Sequence, residues 1–245
     1  MPRTWKPPAG VSPAPPGPLQ PDWSQEATAL AAGYGAIAGC DEVGRGALAG
    51  PLMAAAVVFP PALIAAAAGA ADAALQDCLD ELAAVRDSKQ LTPAARCRLD
   101  ACIRREGLVG LGRVSAALCD QIGLGAANRL VLTRAIRALP APVDYVLVDA
   151  CRLPRLPLPY LALIKGDSRS VSIAAASIVA KVARGALMDG YHTCWPAYCF
   201  DENKGYGTPA HQRALVTHGP TPQHRRSFDP LRSLLAAPGT PAATP

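Results

Sequence analysis

An apolar segment that ends in two adjacent acids and a glycine-rich turn constrains this sequence more than any other feature. Residues 36–41 (AIAGCD) are apolar up to the first acid, Glu42 follows directly, and residues 44–46 are GRG. A short apolar run bounded by turn residues predicts a buried strand. A strand that ends in acid places negative charge at a sheet edge, where ligands have access. Because neighbouring side chains on a strand point to opposite faces, we expect the chain to turn here if both carboxylates serve one site.

Two further strand-like segments also end at an acid. Asp149 closes residues 145–149 (YVLVD), and Asp167 follows residues 161–164 (LALI). Clustered carboxylates repel one another unless a cation holds them, and hard oxygen ligands favour Mg²⁺ or Mn²⁺. The alternative is that each acid only caps a turn or a helix, which aspartate commonly does.

The remaining patterns alternate between strands and helices. Strands are predicted at 36–41, 53–59, 109–114, 145–149 and 161–164. Helices are predicted at 62–82, from Thr92-Pro93 onwards, at 126–139 and at 171–188. This alternation predicts an α/β core with a mixed sheet. The small residues of 171–188 favour close packing, and residues 191–235 carry few strand signals.

Composition adds broad limits. The chain has 245 residues, of which 50% are hydrophobic and 18% charged, which predicts a compact globular protein. The net charge of +5 is compatible with a polyanionic partner but demonstrates none. None of the eight cysteines is two residues from another, so we expect reduced thiols in a cytoplasmic protein.

An uncharged stretch at residues 46–71 has the length of a membrane span. Pro51, Pro60 and Pro61 interrupt it, which predicts a buried strand, a break and an Ala-rich helix instead. The N-terminus shows no basic segment followed by an apolar run, so no signal peptide is predicted. We therefore expect no association with a membrane.

A series of short motifs resembles, in order and spacing, those of type II ribonucleases H, the ribonuclease HII family. The motifs are 41–46 (DEVGRG) with 48–51 (LAGP), 87–91 (DSKQL), 148–149 (VD), 165–168 (KGDS), 175–182 (AASIVAKV), 204–208 (KGYGT) and 224–228 (HRRSF). A lone GRG turn would carry no weight, but this set covers the chain from about residue 36 to 235.

The resemblance implies an α/β ribonuclease H-like fold: a five-stranded mixed sheet flanked by helices, with a C-terminal helical region. It implies an endoribonuclease that cuts the RNA strand of RNA/DNA hybrids and nicks duplex DNA 5′ of embedded ribonucleotides by two-metal hydrolysis, leaving a 3′-hydroxyl and a 5′-phosphate. The implied catalytic residues, which would bind Mg²⁺ or Mn²⁺, are Asp41, Glu42, Asp149 and Asp167. A monomer that removes ribonucleotides and RNA primers is the expected form.

The resemblance also implies the residues that bind the substrate. Gly44, Arg45 and Gly46 would read the ribonucleotide, because glycines let the backbone approach a sugar and its 2′-hydroxyl. Tyr206 would pack against the neighbouring deoxyribose; its alternative is an ordinary core tyrosine. The implied phosphate contacts are Ser88, Lys89 and Lys165, with Lys181, Arg184, Lys204, Arg225 and Arg226 as further candidates.

The resulting domain prediction has four parts: a disordered Pro-rich arm at 1–33, a catalytic core at 34–190, a C-terminal helical cap that completes the substrate site at 191–235, and a disordered tail at 236–245. Four departures from the family pattern stand out: an insertion at 62–84, Gly123 in place of an asparagine, Ala174 in place of a serine and Gly185 in place of an aspartate.

Three alternatives compete with this interpretation. A type III ribonuclease H would carry a folded N-terminal substrate-binding domain, whereas only a Pro-rich arm precedes the first strand here. A non-catalytic hybrid-binding protein on the same fold would have lost at least one of the four acids. A structural α/β protein would show no saturable effect of Mg²⁺ or Mn²⁺ on its stability.

Overall fold

A computed structural model describes residues 11–12, 20–69, 72–86 and 88–236, with no side-chain description for 11–12 and 234–236. The structural statements below concern these residues. The predicted tail at 236–245, apart from Ala236, lies outside them, as do residues 1–10 and 13–19 of the predicted arm, and Asp87.

A mixed sheet forms the centre of the fold. Its strands are β1 Val11–Ser12, β2 Ile37–Val43, β3 Leu52–Val58, β4 Leu108–Val114, β5 Tyr145–Asp149 and β6 Tyr160–Leu163, in the spatial order β1-β6-β5-β2-β3-β4. Strand β3 is antiparallel to both of its neighbours, and the pairs β2/β5, β5/β6 and β6/β1 are parallel. The predicted five-stranded mixed sheet is confirmed in β2 to β6, and the two-residue β1 extends its edge.

Helices cover both faces of this sheet. They are α1 Ser24–Ala31, α2 Pro61–Ala67, α3 Ala73–Leu82, α4 Pro93–Glu106, α5 Ala116–Ile122, α6 Leu124–Arg137, α7 Val171–Cys194, α8 Phe200–Asn203, α9 Pro209–His218 and α10 Leu231–Ala236. In β3, Ala54 and Ala56 pack with α6, whereas Ala55 and Val57 pack with α7. The buried strand, the Pro break and the Ala-rich helix predicted for 46–71 are confirmed in β3 and α2.

Close contacts between strands and helices depend on glycine. A Cβ on Gly39 of β2 would lie 2.2 Å from the Ser172 carbonyl carbon of α7. A Cβ on Gly112 of β4 would lie 2.2 Å from the Val131 carbonyl oxygen of α6. Because both obstacles are backbone atoms, the helices can approach the sheet only where the side chain is absent. The predicted close packing of the small-residue helix α7 is thereby confirmed.

Helix α7 also has the composition of a membrane span. Its apolar window has a mean hydropathy of 1.5, and 67% of that window is buried inside the protein. Burial of this extent is expected of the central helix of a folded core.

Several element predictions were wrong. The arm 1–33 was predicted to lack regular structure, yet α1 occupies Ser24–Ala31. Its prolines end at Pro21, so the following residues are free to form a helix. The single helix predicted at 62–82 is divided into α2 and α3, where Asp72 caps α3 by accepting a hydrogen bond from the Leu75 amide. Helix α5 was not predicted, and α7 extends to Cys194.

A buried glutamate fixes α1 to the start of α7. The Glu26 Oε1 atom accepts hydrogen bonds from Ser170 Oγ at 2.6 Å, Ser172 N at 2.9 Å and Ser172 Oγ at 2.5 Å. Glu26 is 0% exposed, and its Oε2 has no hydrogen-bond partner among the described residues. Burial therefore raises the pKa of Glu26 above 4.5, although the serine hydrogen bonds oppose the shift.

Replacing Glu26 with glutamine is expected to remove a pH dependence of stability. The pKa of Glu26 is raised in the folded protein. Its contribution to the free energy of unfolding is therefore fully present below the unfolded pKa, near 4.5, and is lost as pH rises through the folded pKa. The variant should match the native protein near pH 4 and exceed it by on the order of 1 to 3 kcal/mol near pH 8. Urea denaturation at both pH values measures this, and a native protein more stable than the variant near pH 8 would contradict it.

The C-terminal helices enclose one end of the fold. Leu48, which follows the GRG turn, packs with Met188 of α7, Phe200 of α8, Leu215 of α9 and Leu231 of α10. This cluster connects the helical region to the loop between β2 and β3. All eight cysteines lie among the described residues and carry free thiols.

Candidate active site

A cavity of about 560 Å³ opens where β2 and β5 end. The four predicted acids and six of the seven predicted substrate-binding residues line it. Its lining is Asp41, Glu42, Val43, Gly44, Arg45, Gly46, Ser88, Lys89, Asp149, Asp167, Ser177, Lys181 and Tyr206. Residues far apart in the sequence are therefore brought to one surface.

The sheet topology explains how the acids meet. Strands β2 and β5 are parallel neighbours in which Cys40 pairs with Val148, so Asp41 and Asp149 lie at the same sheet edge. Asp167 lies in the 3₁₀ turn Gly166–Ser168, just after β6. Strand β2 continues to Val43, and the left-handed turn comes only at Gly44, with a φ of 87°. The turn was predicted at the two acids, but in the structure it comes after Glu42. Asp41 and Glu42 nevertheless both line the cavity.

Backbone amides orient two of these carboxylates. The Glu42 amide donates a hydrogen bond to Asp41 Oδ1 at 2.7 Å. The Gly166 amide donates one to Asp149 Oδ1 at 2.7 Å. The guanidinium of Arg45 donates to Glu42 Oε1 at 3.2 Å. These contacts hold one oxygen of each of the three acids in a defined direction.

Burial and mutual repulsion make the acids costly to ionise. Burial, followed by the negative charges of Glu42 and Asp149, raises the pKa of Asp41 well above 3.8. Burial also raises the pKa of Glu42, against the opposing charge of Arg45. For Asp149, burial raises the pKa to about 6 although the Gly166 amide hydrogen bond lowers it. Such clustering at a cavity marks a functional site more often than a structural one.

The chemistry of the donor set fits a hard divalent cation. The donors are carboxylate oxygens, and Glu42 Oε2 is buried without a hydrogen bond from any described residue. In the described part of the chain, however, no group of three or more Asp, Glu, His or Cys side chains is arranged to hold a metal ion. Magnesium commonly takes only one or two carboxylates and completes its shell with water and substrate phosphate. The residues therefore fit a site that a bound substrate would complete.

Basic and hydroxyl groups line the same cavity as the acids. Lys89 Nζ lies 3.7 Å from Asp167 Oδ2, and Lys181 Nζ donates to the Ser88 carbonyl at 3.2 Å. The Ser88 and Ser177 hydroxyls are hydrogen-bonded at 3.0 Å. These groups suit a phosphate oxygen next to the carboxylates.

Two polar residues differ between the predicted and the observed lining, and Val43 is a further, apolar addition. Lys165 was predicted at the site, but it is exposed and lies outside the cavity lining, at the left-handed start of the turn that carries Asp167. Ser177 lines the cavity but was not predicted as a site residue. The sequence could have predicted Ser177 as a site residue. It lies within the 175–182 motif, four residues before Lys181, so both residues share one face of α7.

Tyr206 lies at the rim of the cavity and is 41% exposed. The exposure excludes the alternative of an ordinary core tyrosine. The guanidinium carbon of Arg184 lies 5.6 Å from the centre of its ring, within the range of a cation–π contact. The ring is therefore supported on one side and accessible from the cavity.

Two arginines predicted to contact phosphate are buried instead. Arg184 is 2% exposed and donates to the carbonyls of Pro51 at 3.0 Å, Lys204 at 2.7 Å and Ala49 at 3.0 Å. A guanidinium carries five donors and no acceptor, so one side chain can satisfy several loop carbonyls at once. Arg184 thus joins the loop after the GRG turn to the loop that carries Tyr206.

Arg225 has the same role on the other side of this loop. It is 0% exposed, donates to the Gly50 carbonyl through Nε at 3.1 Å and Nη2 at 3.0 Å, and donates to the Arg45 carbonyl at 3.0 Å. The phosphate role predicted for both arginines is therefore wrong, because their donors are occupied by backbone inside the fold.

Replacing Arg225 with lysine is expected to destabilise the protein by about 2 to 4 kcal/mol. A single ammonium group cannot donate to the Gly50 and Arg45 carbonyls in the way that the planar guanidinium does, so buried carbonyls are left unpaired. The Arg45 backbone at the cavity would lose its support as well. Thermal unfolding measures the first effect. The exposed neighbour provides the control: Arg226→Lys should leave the melting temperature unchanged, and equal effects of the two changes would contradict this role.

Comparison with known proteins decides the family. Residues 38–230 match the family model described as Ribonuclease HII. The chain belongs to the ribonuclease HII family. The ribonuclease HII of Chloroflexus aggregans is 48% identical over 218 residues, which cover 89% of this chain and 97% of that protein. The ribonuclease HII of Bacillus subtilis is 41% identical over 211 residues, covering 86% of this chain and 76% of that protein.

Solved structures show the same fold at low sequence identity. The ribonuclease H2 of Pyrococcus horikoshii superimposes with a TM-score of 0.63 at 21% identity, covering 81% of this chain and 96% of that one. Bst-RNase HIII in complex with Mn²⁺ superimposes with a TM-score of 0.57 at 20% identity. The match covers 82% of this chain and 69% of that one. The predicted ribonuclease H-like fold and the predicted family are both confirmed.

Family membership makes this chain a ribonuclease H-type hydrolase with a requirement for a divalent metal. It therefore rejects the alternative of a structural α/β protein whose acids only cap turns.

Proposed function

We propose that this chain is an endoribonuclease that cuts the RNA strand of RNA/DNA hybrids and nicks duplex DNA on the 5′ side of an embedded ribonucleotide. The observation that carries the proposal is the single cavity lined by four carboxylates from three strand ends, with lysines and an exposed tyrosine on its rim. Carboxylates alone would repel a phosphodiester, so a cation must enter with it.

Asp41, Glu42, Asp149 and Asp167 are the proposed holders of Mg²⁺ or Mn²⁺. When bound, such ions supply an activated water and charge stabilisation of the leaving oxygen, which gives 3′-hydroxyl and 5′-phosphate products. The amides of Glu42 and Gly166 each fix one carboxylate oxygen and so orient the other. Clustered and buried acids are poorly stable as anions alone, which favours binding of a cation.

The rim residues are proposed to hold the substrate. Ser88, Lys89 and Lys181 would contact the phosphate next to the cut, since they line the same cavity as the acids and Lys89 Nζ lies 3.7 Å from Asp167 Oδ2. Lys165, exposed beside the cavity, would contact the backbone farther away. Such contacts position a duplex without reading its sequence.

The turn at 44–46 is proposed to read the ribose. A Cβ on Gly44 would lie 2.4 Å from Arg184 Nε, and Gly44 has a φ of 87°, so only glycine fits there. Gly46 has no heavy atom within 4 Å of the position of a Cβ, which leaves room for a sugar. The exposed ring of Tyr206 would pack against the deoxyribose that follows the ribonucleotide and would crowd a 2′-hydroxyl there.

None of the departures from the family pattern falls on a proposed metal ligand, so we expect activity to be retained. Gly123, at the start of α6, has a φ of 76° and no heavy atom within 4 Å of a Cβ, so it supplies no side-chain contact to a substrate. The described part of the 62–84 insertion contains most of α2 and all of α3, and no residue of either helix lines the cavity. We propose a monomeric cytoplasmic enzyme that removes ribonucleotides and RNA primers from DNA.

Cleavage assays on three labelled substrates test the proposal. With Mg²⁺ or Mn²⁺, the protein should cut the RNA strand of an RNA/DNA hybrid and leave single-stranded RNA and all-DNA duplex intact. The product ends should be extended by a polymerase, which requires a 3′-hydroxyl. Binding of the hybrid without any cleavage would favour the alternative of a non-catalytic binding protein.

A further inference from the structure

Two buried histidines form a hydrogen-bonded chain beneath Tyr206. His211 Nδ1 lies 2.9 Å from the Tyr206 carbonyl oxygen, and His211 Nε2 lies 2.9 Å from His224 Nε2. The Thr221 amide donates to His224 Nδ1 at 2.9 Å. Both imidazoles are buried, so each contact is shielded from water.

These contacts fix both tautomers. The Tyr206 carbonyl can only accept, so His211 must carry its proton on Nδ1 and leave Nε2 as an acceptor. His224 must then carry its proton on Nε2, which leaves Nδ1 free to accept from the Thr221 amide. His224 Nδ1 also lies 2.9 Å from the Thr221 hydroxyl, so every ring nitrogen has a hydrogen-bond partner while both rings are neutral. Burial and the neighbouring imidazole lower the pKa of His224 to about 3, consistent with this arrangement.

The surroundings contain nothing that would charge the pair. Tyr198 and Phe200 pack against the His224 ring with centroids 5.1 Å and 5.7 Å away. No described carboxylate is hydrogen-bonded to either imidazole, and the nearby charge of Arg226 disfavours protonation of His224. The hydrogen bonds and the surroundings of the pair thus favour two neutral imidazoles.

The support acts on a segment with little regular structure. Tyr206 follows α8, and its carbonyl also accepts the Thr208 amide at 2.8 Å. Neighbouring Lys204 and Gly205 have left-handed φ values of 50° and 83°, so the segment depends on outside contacts to hold its shape. The chain from Thr221 through both histidines to the Tyr206 carbonyl supplies such a contact, in addition to the contact of Arg184 with the Tyr206 ring.

We infer that His211 and His224 are positioning residues that set how Tyr206 meets the sugar next to the ribonucleotide, and thereby set the preference for a single embedded ribonucleotide over a continuous hybrid. The inference rests on the proposed role of Tyr206. Neither histidine lines the cavity, so they act through the Tyr206 backbone and not on the substrate.

The first test compares His211→Phe with the native chain on two substrates. Phenylalanine keeps the ring and removes both hydrogen bonds, so kcat/KM on a duplex with one ribonucleotide should fall about tenfold more than on a continuous hybrid. His211→Asn, whose amide can still donate to the Tyr206 carbonyl, should restore much of the preference. The exposed His218 at the end of the same helix is the control, since His218→Asn should change neither rate.

A double-mutant cycle separates positioning from general damage. In a Tyr206→Ala background, His211→Phe should cause no further loss of preference, because the group that it positions is gone. An equal loss on both substrates, or an effect that adds fully to that of Tyr206→Ala, would overturn the inference. Native protein that cuts neither substrate would refute the proposed function and this role together, whereas active variants with unchanged preference would refute this role alone.

A measurement on the native chain covers the case in which the variants fail to fold. Nitrogen-15 NMR of the imidazoles near pH 8 should show His211 protonated on Nδ1 and His224 on Nε2, with both rings neutral. A charged imidazole, or the opposite tautomer in either ring, would break the hydrogen-bonded chain and overturn the inference.

Discussion

Asp149→Asn is expected to abolish cleavage while leaving the protein at least as stable as the native chain. The asparagine oxygen can still accept the Gly166 amide hydrogen bond, so the turn after β6 keeps its place. The lost charge removes a ligand for the cation, which is worth about 4 kcal/mol or more in the transition state, or a rate loss of at least about a thousandfold. It also removes a buried anion whose pKa is raised to about 6, which relieves repulsion near pH 8.

Single-turnover cleavage near pH 8 tests the expected loss of activity. Thermal unfolding at the same pH tests the expected stability of the variant. Mg²⁺ or Mn²⁺ should raise the melting temperature of the native protein more than that of the variant. Asp77→Asn provides a control, because Asp77 is an exposed residue of α3 outside the cavity. A variant that cleaves at more than about a tenth of the native rate would contradict the role of Asp149.

Gly39→Ala, which adds one methyl group to β2, is expected to cause a large loss of stability. The new Cβ would lie 2.2 Å from the Ser172 carbonyl carbon and 2.4 Å from the Ile173 amide nitrogen. Neither backbone atom can move without displacing α7 from the sheet, so the cost should be about 3 kcal/mol or more. For a chain of this length, that lowers the melting temperature by about 6 to 12 °C.

A matched glycine on α7 isolates the effect of the contact. Gly185 has no heavy atom within 4 Å of the position of a Cβ, so Gly185→Ala should raise stability by up to about 1 kcal/mol through helix propensity. Thermal denaturation of both variants measures the difference. If Gly39→Ala melted within about 2 °C of the native protein, the close approach of β2 and α7 would be wrong.

The sequence predicted the sheet, and the presence of four acids at strand ends, because both depend on local pattern. Apolar runs that end in acid are visible along the chain, and the parallel pairing of β2 with β5 then brings Asp41 and Asp149 together. The motifs fixed the order of the site residues as well. Short-range pattern therefore accounts for the strands, for α4 and for the four carboxylates.

Contacts between distant segments were not predictable in the same way. Arg184 and Arg225 are buried because loop carbonyls from residues 45–51 and 204 need donors, which no local pattern reveals. Helix α1 depends on Glu26 reaching serines about 145 residues away in sequence, a separation that local propensity cannot detect. The histidine pair likewise becomes visible only once α9 and the 221–224 turn are placed.

Cleavage of a labelled DNA duplex with one embedded ribonucleotide tests the central claim most directly. With Mg²⁺ or Mn²⁺, the native protein should produce one nick, on the 5′ side of the ribonucleotide, and EDTA should abolish it. A well-folded protein that binds this duplex and leaves it intact with either metal would contradict the claim that the carboxylate cavity is a ribonuclease active site.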